Sequence, residues 1–299
     1  LILAADTGVI VDRSEDVFAM SGISTLLKRI GIHSPADLRA RRLGDGELLM
    51  PLFVSYPLPA NSDFAPVLDL GSALRRYLSA SAAPLSGISR SATPFKVAFG
   101  GSPIQRNGIT ANNEPRSLNQ QSVAEADAVY RVVVSGDGAA TELLNDELRR
   151  ITAYALQAAD SCVAIDVNFR RRNLIELARS VLARLDATEG EAFIKRLTGV
   201  GCIGSDNADQ KWVDFLVALA RRDGAAIAVD AKSLRDLTEE TDPNYAFLIE
   251  AEMLAHLLLG DRAQNLKLWR TLPQAQQEEL LFVLPIRLML AHSGWHPER

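Results

Sequence analysis

Beyond Ser117 the chain carries apolar residues at three- and four-residue spacing almost without a break, and the gaps between periodic segments are short. No other feature constrains the fold as much. The segments run near 118–134, 141–159, 171–186, 189–198, 207–222, 224–237, 243–259, 262–271 and 274–292. Such spacing gives each helix one apolar face to bury. Links such as Gly136-Asp137-Gly138, Asp186-Ala187-Thr188 and Thr241-Asp242-Pro243 are too short to carry the chain far, so successive helices fold back as antiparallel hairpins. The expected fold class is mainly α, with an α-helical, repeat-like domain over 117–299.

Two of the hairpins resemble each other. FLVALARRDGAAIAVDAKSL (215–234) and MLAHLLLGDRAQNLKLWRTL (253–272) each join an apolar helix through an Asp/Gly turn to a second helix with small residues near its start. Gly224 and Gly260 lie 36 positions apart, close to the period of about 34 residues of tetratricopeptide repeats, although neither unit carries the full repeat pattern.

The first 80 residues have a different texture. Leu1-Ile2-Leu3-Ala4-Ala5 reads as a buried strand whose sheet partners lie outside this sequence, so the chain is expected to be the C-terminal part of something larger. Ser14-Glu15-Asp16 offers an N-cap and an acidic first turn for a helix that carries Leu26, Leu27 and Ile30 toward Gly31, and Ser34-Pro35-Ala36-Asp37 starts another. Residues 81–116, rich in Ser, Ala, Pro, Gly and Asn, read as a linker or long loop that buries little, with VAFGG (97–101) as a candidate short strand.

Composition narrows the function classes. Of the 299 residues 47% are hydrophobic and 23% charged, and the net charge of -5 argues against a nucleic-acid partner. Cys162 and Cys202 are the only cysteines and form no C-x-x-C pair, which leaves no zinc or redox motif and suits a reducing compartment. LLFVLPIRLMLA (280–291) is interrupted by Pro285 and Arg287 and falls short of the roughly 20 residues a membrane span needs. A buried, kinked helix is expected there, and no membrane span.

Candidate sites are few. GVGCIG (199–204) matches the G-x-G-x-x-G dinucleotide pattern, but the preceding GEAFIKRLT is helical and a phosphate loop needs a strand there. A glycine-rich turn before a helix capped near Ser205 or Asp206 is the simpler reading. His292 and His296 are four apart, as metal ligands on one helix face would be, but without a third ligand they read as a frayed tail. His256, inside an apolar helix, reads as a satisfied core histidine. Arg170-Arg171-Arg172 suits a phosphate or acidic partner, or a solvated corner paired with Asp166 and Glu176. No G-x-S-x-G elbow and no G-x-x-x-x-G-K-[ST] loop is present. No metal site and no cofactor site is expected, and no catalytic residue is assigned.

One stretch points further. In Pro59-Ala60-Asn61-Ser62-Asp63 the polar side chains can bond the following backbone and hold a tight loop, Pro66 sets an extended segment, and Asp69 alternates with Leu68 and Leu70 as in a half-buried strand. Together with Arg75-Arg76-Tyr77-Leu78 and the earlier Gly31-Ile32-His33-Ser34-Pro35-Ala36-Asp37-Leu38, the pattern N-S-D-x-x-P-V-L-D at 61–69 resembles the segment after the nucleotide-binding core of the bacterial membrane-fused, spermidine-synthase-like proteins. The resemblance covers about residues 1–80.

It implies that 1–80 is the C-terminal end of a Rossmann-like aminopropyltransferase domain, fused upstream to transmembrane helices in the inner membrane and facing the cytoplasm. The loop for decarboxylated S-adenosylmethionine and the polyamine-binding acids would lie upstream, so this chain alone would be inactive. Asn61, Ser62, Asp63, Pro66 and Asp69 carry over only as motif positions of unknown role. The implied partner is the upstream part of the same polypeptide. The alternative is a helical-repeat module without catalytic activity that receives a protein or peptide partner.

Overall fold

The computed structural model describes residues 14–40, 44, 46–56, 86–89, 91–99, 118–161, 166–199 and 207–296. Among these residues there are fifteen α-helices and no strand. The expected strand at residues 1–5, the motif positions Asn61, Ser62, Asp63, Pro66 and Asp69, and both cysteines lie outside the described residues.

The N-terminal segment holds α1 (Ser14–Ala19), α2 (Ser21–Arg29), α3 (Pro35–Ala40) and α4 (Gly46–Val54). The single helix expected toward Gly31 is broken at Met20, and Gly31 ends α2 with φ of +72°, where its N–H reaches Lys28 O at 3.1 Å. Ser34 starts α3 as expected: its Oγ accepts from Asp37 N at 3.1 Å, and Asp37 Oδ2 accepts in turn from His33 N at 3.0 Å.

The helical array comprises α6 (Leu118–Ser135), α7 (Asp146–Ser161), α8 (Val167–Val181), α9 (Ala187–Thr198), α10 (Asn207–Arg221), α11 (Gly224–Arg235), α12 (Tyr245–Leu258), α13 (Arg262–Thr271), α14 (Gln274–Leu280) and α15 (Leu284–His292). Short 3-10 turns at Gly138–Leu143 and Leu182–Arg184 complete it. Each helix from α9 to α12 packs on the next, α13 packs on α15, and α6 packs across α7, α8 and α9. Side-chain caps start several of them: Asp166 accepts from Phe169 N, Asp223 from Ala226 N and Asp261 from Gln264 N. Asp186 and Glu189 form a capping box at α9.

The turns of the two similar hairpins follow one design. In each, a residue at positive φ precedes the capping aspartate: Arg222 (+62°) before Asp223, and Gly260 (+74°) before Asp261. The equivalent pairs are therefore 38 positions apart, and Gly224 is not the counterpart of Gly260. Gly224 has its own reason to be glycine, since a Cβ there would sit 3.1 Å from Ala255 O.

Two further expectations change. The periodic run 274–292 is two helices, with Pro285 in the first turn of α15 rather than at a kink, because that position needs no intrahelical N–H bond. Segment 81–116 was expected to bury little, yet its described part, α5 (Ser86–Ser89) and a 3-10 turn (Phe95–Phe99) in place of the candidate strand, buries Ile88, Ser91, Thr93 and Phe95. These residues pack with α4, α6, α12 and α15.

α12 lies at the centre. Ten of its residues, from Tyr245 to Ala255, are buried, so it is enclosed on every side. It contacts α11, α13, α15 and the 95–99 turn. Leu48 and Leu52 of α4 belong to the same apolar core as α12 and α15. Elsewhere in the N-terminal segment Met20, Ile23, Leu26, Ile30, Met50, Phe53 and Val54 are exposed. No helix among the described residues is long and apolar enough to cross a membrane.

Candidate functional site

Two acids lie buried on α12, and their partners define the polar interior. Glu252 takes an ion pair from Arg235 Nε at 2.9 Å. Glu250, 5% exposed, accepts from Ser91 Oγ and Thr93 Oγ1, both at 2.5 Å. Burial pushes the Glu250 carboxyl above the usual glutamate range, and the two hydroxyls and the Arg179 charge only partly offset it. Ser91 continues the chain of contacts, because its carbonyl accepts from Arg184 Nη1 at 3.3 Å.

Arg184 is itself 5% exposed and donates also to Ser180 O at 3.3 Å. With Arg179 it lines a cleft of about 200 Å3 whose other walls are Gln121, Ser122, Glu125, Ala126 and Leu148. α6 and α7 supply these walls, and the end of α8 with the following turn supplies the arginines. Arg179 is braced by Asn244 Oδ1 at 3.4 Å and by Glu176 at 3.9 Å, and its guanidinium lies 5.6 Å from the Phe247 ring centroid. Glu125 Oε1 is held by Gln121 Nε2 at 3.0 Å and Asn145 Nδ2 at 3.1 Å. The arrangement is a small polar cleft lined by Arg179 from α8, Arg184 from the turn after it and Glu125 from α6.

The residues singled out by sequence fall elsewhere. Gly199, the first glycine of GVGCIG, caps the end of α9 at φ of +62°, where a Cβ would sit 2.7 Å from Ala159 O. The element before it is a helix, as its periodicity predicts, and the rest of the motif lies outside the described residues. Of the triple arginine, Arg170 and Arg171 reach buried Asp209 at 4.0 and 3.3 Å, while Asp166 is occupied as the cap of α8.

His292 is not part of a frayed tail. It ends α15 half-buried, its Nε2 is 2.8 Å from Leu48 O, and its ring lies 3.9 Å from that of Phe99. Burial lowers its pKa, which fits a neutral imidazole donating to that carbonyl. His256 Nδ1 is 3.0 Å from Asn265 Oδ1, as a satisfied core histidine should be. No group of His, Cys, Asp and Glu among the described residues is placed to hold a metal ion.

Sequence reasoning missed the Arg179/Arg184 cleft and Glu250. The available signal was the pair of acids, Glu250 and Glu252, inside the largely apolar YAFLIEAEMLAHLL, since a buried charge demands a partner.

No family model, no curated protein and no solved structure matches this chain.

Proposed function

We propose that this chain is the C-terminal accessory part of a spermidine-synthase-like protein, in which residues 1–80 complete a Rossmann-like aminopropyltransferase domain and the helices beyond add a scaffold. The parent reaction moves an aminopropyl group from decarboxylated S-adenosylmethionine to a polyamine amine. That chemistry needs a sulfonium site, orienting carboxylates and a base, supplied upstream together with the inner-membrane helices. The role of this chain is to hold that domain.

The observation that supports the reading is the number of large apolar side chains left exposed in the N-terminal segment. α4 buries Leu48 and Leu52 with the array while Met50, Phe53 and Val54 face out, and α2 exposes Ile23, Leu26 and Ile30 at helical spacing. Large apolar side chains exposed along one helix, as Ile23, Leu26 and Ile30 are on α2, suit a surface that another body covers. The exposed surface follows from the same segment that carries the family resemblance.

An antibody against residues 118–296 provides the test, by precipitating the native protein from its source cells for sizing and assay. The expected product is a polypeptide longer than 299 residues that transfers aminopropyl groups to putrescine or spermidine. A 299-residue product without transfer activity overturns the reading. In calorimetry the isolated chain is expected to bind none of decarboxylated S-adenosylmethionine, putrescine and spermidine.

The second reading is a helical-repeat module for a protein or peptide ligand. The Arg179/Arg184 cleft favours it, because it is a polar recess built within the array and independent of residues 1–80.

A further inference from the structure

We infer that α2 lies along an anionic lipid surface, with its apolar row in the acyl boundary and Lys28 and Arg29 among the headgroups. The row comes first. Ile23, Leu26, Leu27 and Ile30 fall within ~100° of arc on an α-helix, and Met20, at the N-cap, continues it. Ser21, Gly22, Ser24, Thr25, Lys28 and Arg29 take the rest of the circumference. Met20, Ile23, Leu26 and Ile30 are exposed, and α2 buries no residue. A helix divided in this way lies in a lipid interface with its apolar face sunk roughly 5–10 Å. Its nine residues are too few to span a bilayer.

Charge decides the kind of surface. From Val17 to Ala36 the chain carries Lys28 and Arg29 and no Asp or Glu. Both cations are exposed in the last turn of α2, and among the described residues neither enters an ion pair. They stand among Leu26, Leu27 and Ile30, so a surface that takes those side chains also meets the two charges. The acids of α1, Glu15 and Asp16, lie in its first turn, before the row begins. The net charge of -5 belongs to the whole chain, and exposed charges more than ~10 Å away are largely screened at ~0.1 M salt.

The make-up of the row separates lipid from protein. The centre of a protein interface is rich in Trp and Tyr set in shaped pockets, whereas the row holds only Met, Ile and Leu. A fluid acyl layer accepts aliphatic side chains without a matching shape, and the long stems of Lys28 and Arg29 let their charges reach the phosphates. This goes beyond the scaffold reading: α2 is given to lipid, and the exposed Met50, Phe53 and Val54 of α4 remain for a further domain.

The experiment is flotation of the full chain with vesicles of phosphatidylcholine alone and with vesicles of phosphatidylcholine and phosphatidylglycerol in equal parts. Binding to the mixed vesicles is expected to be ~25-fold tighter, since each basic side chain near an anionic surface contributes ~5-fold, and to weaken as salt rises. Lys28→Gln with Arg29→Gln should remove that difference. Ile23→Ser with Leu26→Ser should weaken binding to either vesicle ~10-fold or more, with the circular dichroism little changed because both sites are already exposed. Absence of flotation with the mixed vesicles, equal binding to both kinds, or a folded variant that floats as before overturns the proposal. So does a chain that associates with itself and leaves the vesicles bare, which would give the row to a second copy. The comparison of the two vesicles on the unaltered chain decides the matter even if a variant fails to fold. No aminopropyl donor or acceptor enters the assay, so its failure and that of the scaffold reading are distinguishable.

Discussion

Glu250 and Arg222 show what single charges cost and do in this fold. The Glu250 carboxyl is desolvated on α12, and its pKa lies above the ordinary glutamate value of 4.5. The native state therefore holds this proton to higher pH than the unfolded chain does. The stability contributed by the protonated form is full below the ordinary glutamate range and is lost as pH rises through the raised native value. Glu250→Gln keeps an acceptor for Ser91 and Thr93 and removes the titration. Its melting temperature is expected to exceed that of the unaltered chain at about pH 8 and to converge with it at about pH 4. Thermal melts across that range check this, and parallel curves at all pH values would refute it.

Arg222 combines a rare backbone conformation with a capping role. At φ of +62° it donates through its guanidinium to Leu219 O, Ala220 O, Leu182 O and Leu185 O, closing the ends of α10 and of the 182–184 turn at once. Burial pushes its pKa down to about 10, so it remains charged at neutral pH. Arg222→Ala is expected to cost ~1–3 kcal/mol through the orphaned carbonyls and to keep the strained φ. Arg222→Gly loses the same bonds but relieves the backbone by ~1–2 kcal/mol, so denaturant melts should rank Gly above Ala. Arg222→Lys, a point donor unable to span four acceptors, should fall near Ala.

At the scale of elements, periodicity and caps were legible because they are local. The spans of α9, α10 and α13 follow the apolar spacing closely, and Ser34 caps α3 where its position predicts. What could not be read was whatever depends on distant partners. The role of Ser91 and Thr93 is set by Glu250 more than 150 positions away, so a stretch of small polar residues looked like a linker although its described part is core. Similarly, nothing local to His292 announces Leu48. That contact carries its own prediction. The His292 imidazole has its pKa lowered by burial, with the Arg262 charge acting the same way, so it stabilises the α4–α15 seam above the ordinary value of 6.5 and loses this as pH falls below it. Amide exchange in α4 is expected to accelerate from about pH 7 to about pH 5, after correction for intrinsic rates, more than in α10. Equal acceleration in both helices would remove His292 from the seam.

At the scale of the whole molecule, the described N-terminal segment and the array share one apolar core, since Leu48 and Leu52 belong to the same cluster as α12 and α15. α4 is therefore committed to the array through Leu48 and Leu52, while α2 buries no residue. Seven large apolar side chains lie exposed between residues 20 and 54, and burying them on association would follow from the roughly 25 cal/mol gained per Å2 of apolar area removed from water. If these side chains seat a further domain, the isolated chain is left with an uncovered apolar surface and should associate with itself as concentration rises. The triple substitution Ile23→Ser, Leu26→Ser and Phe53→Ser should suppress the association, while changing the melting temperature little, because each site is already exposed to water. Sedimentation across a concentration series provides the readout, with circular dichroism to confirm that both proteins are folded. A chain that stays monomeric at all concentrations, or a triple variant that associates as before, would show that these side chains are simply solvated and would withdraw the main structural support for the scaffold reading.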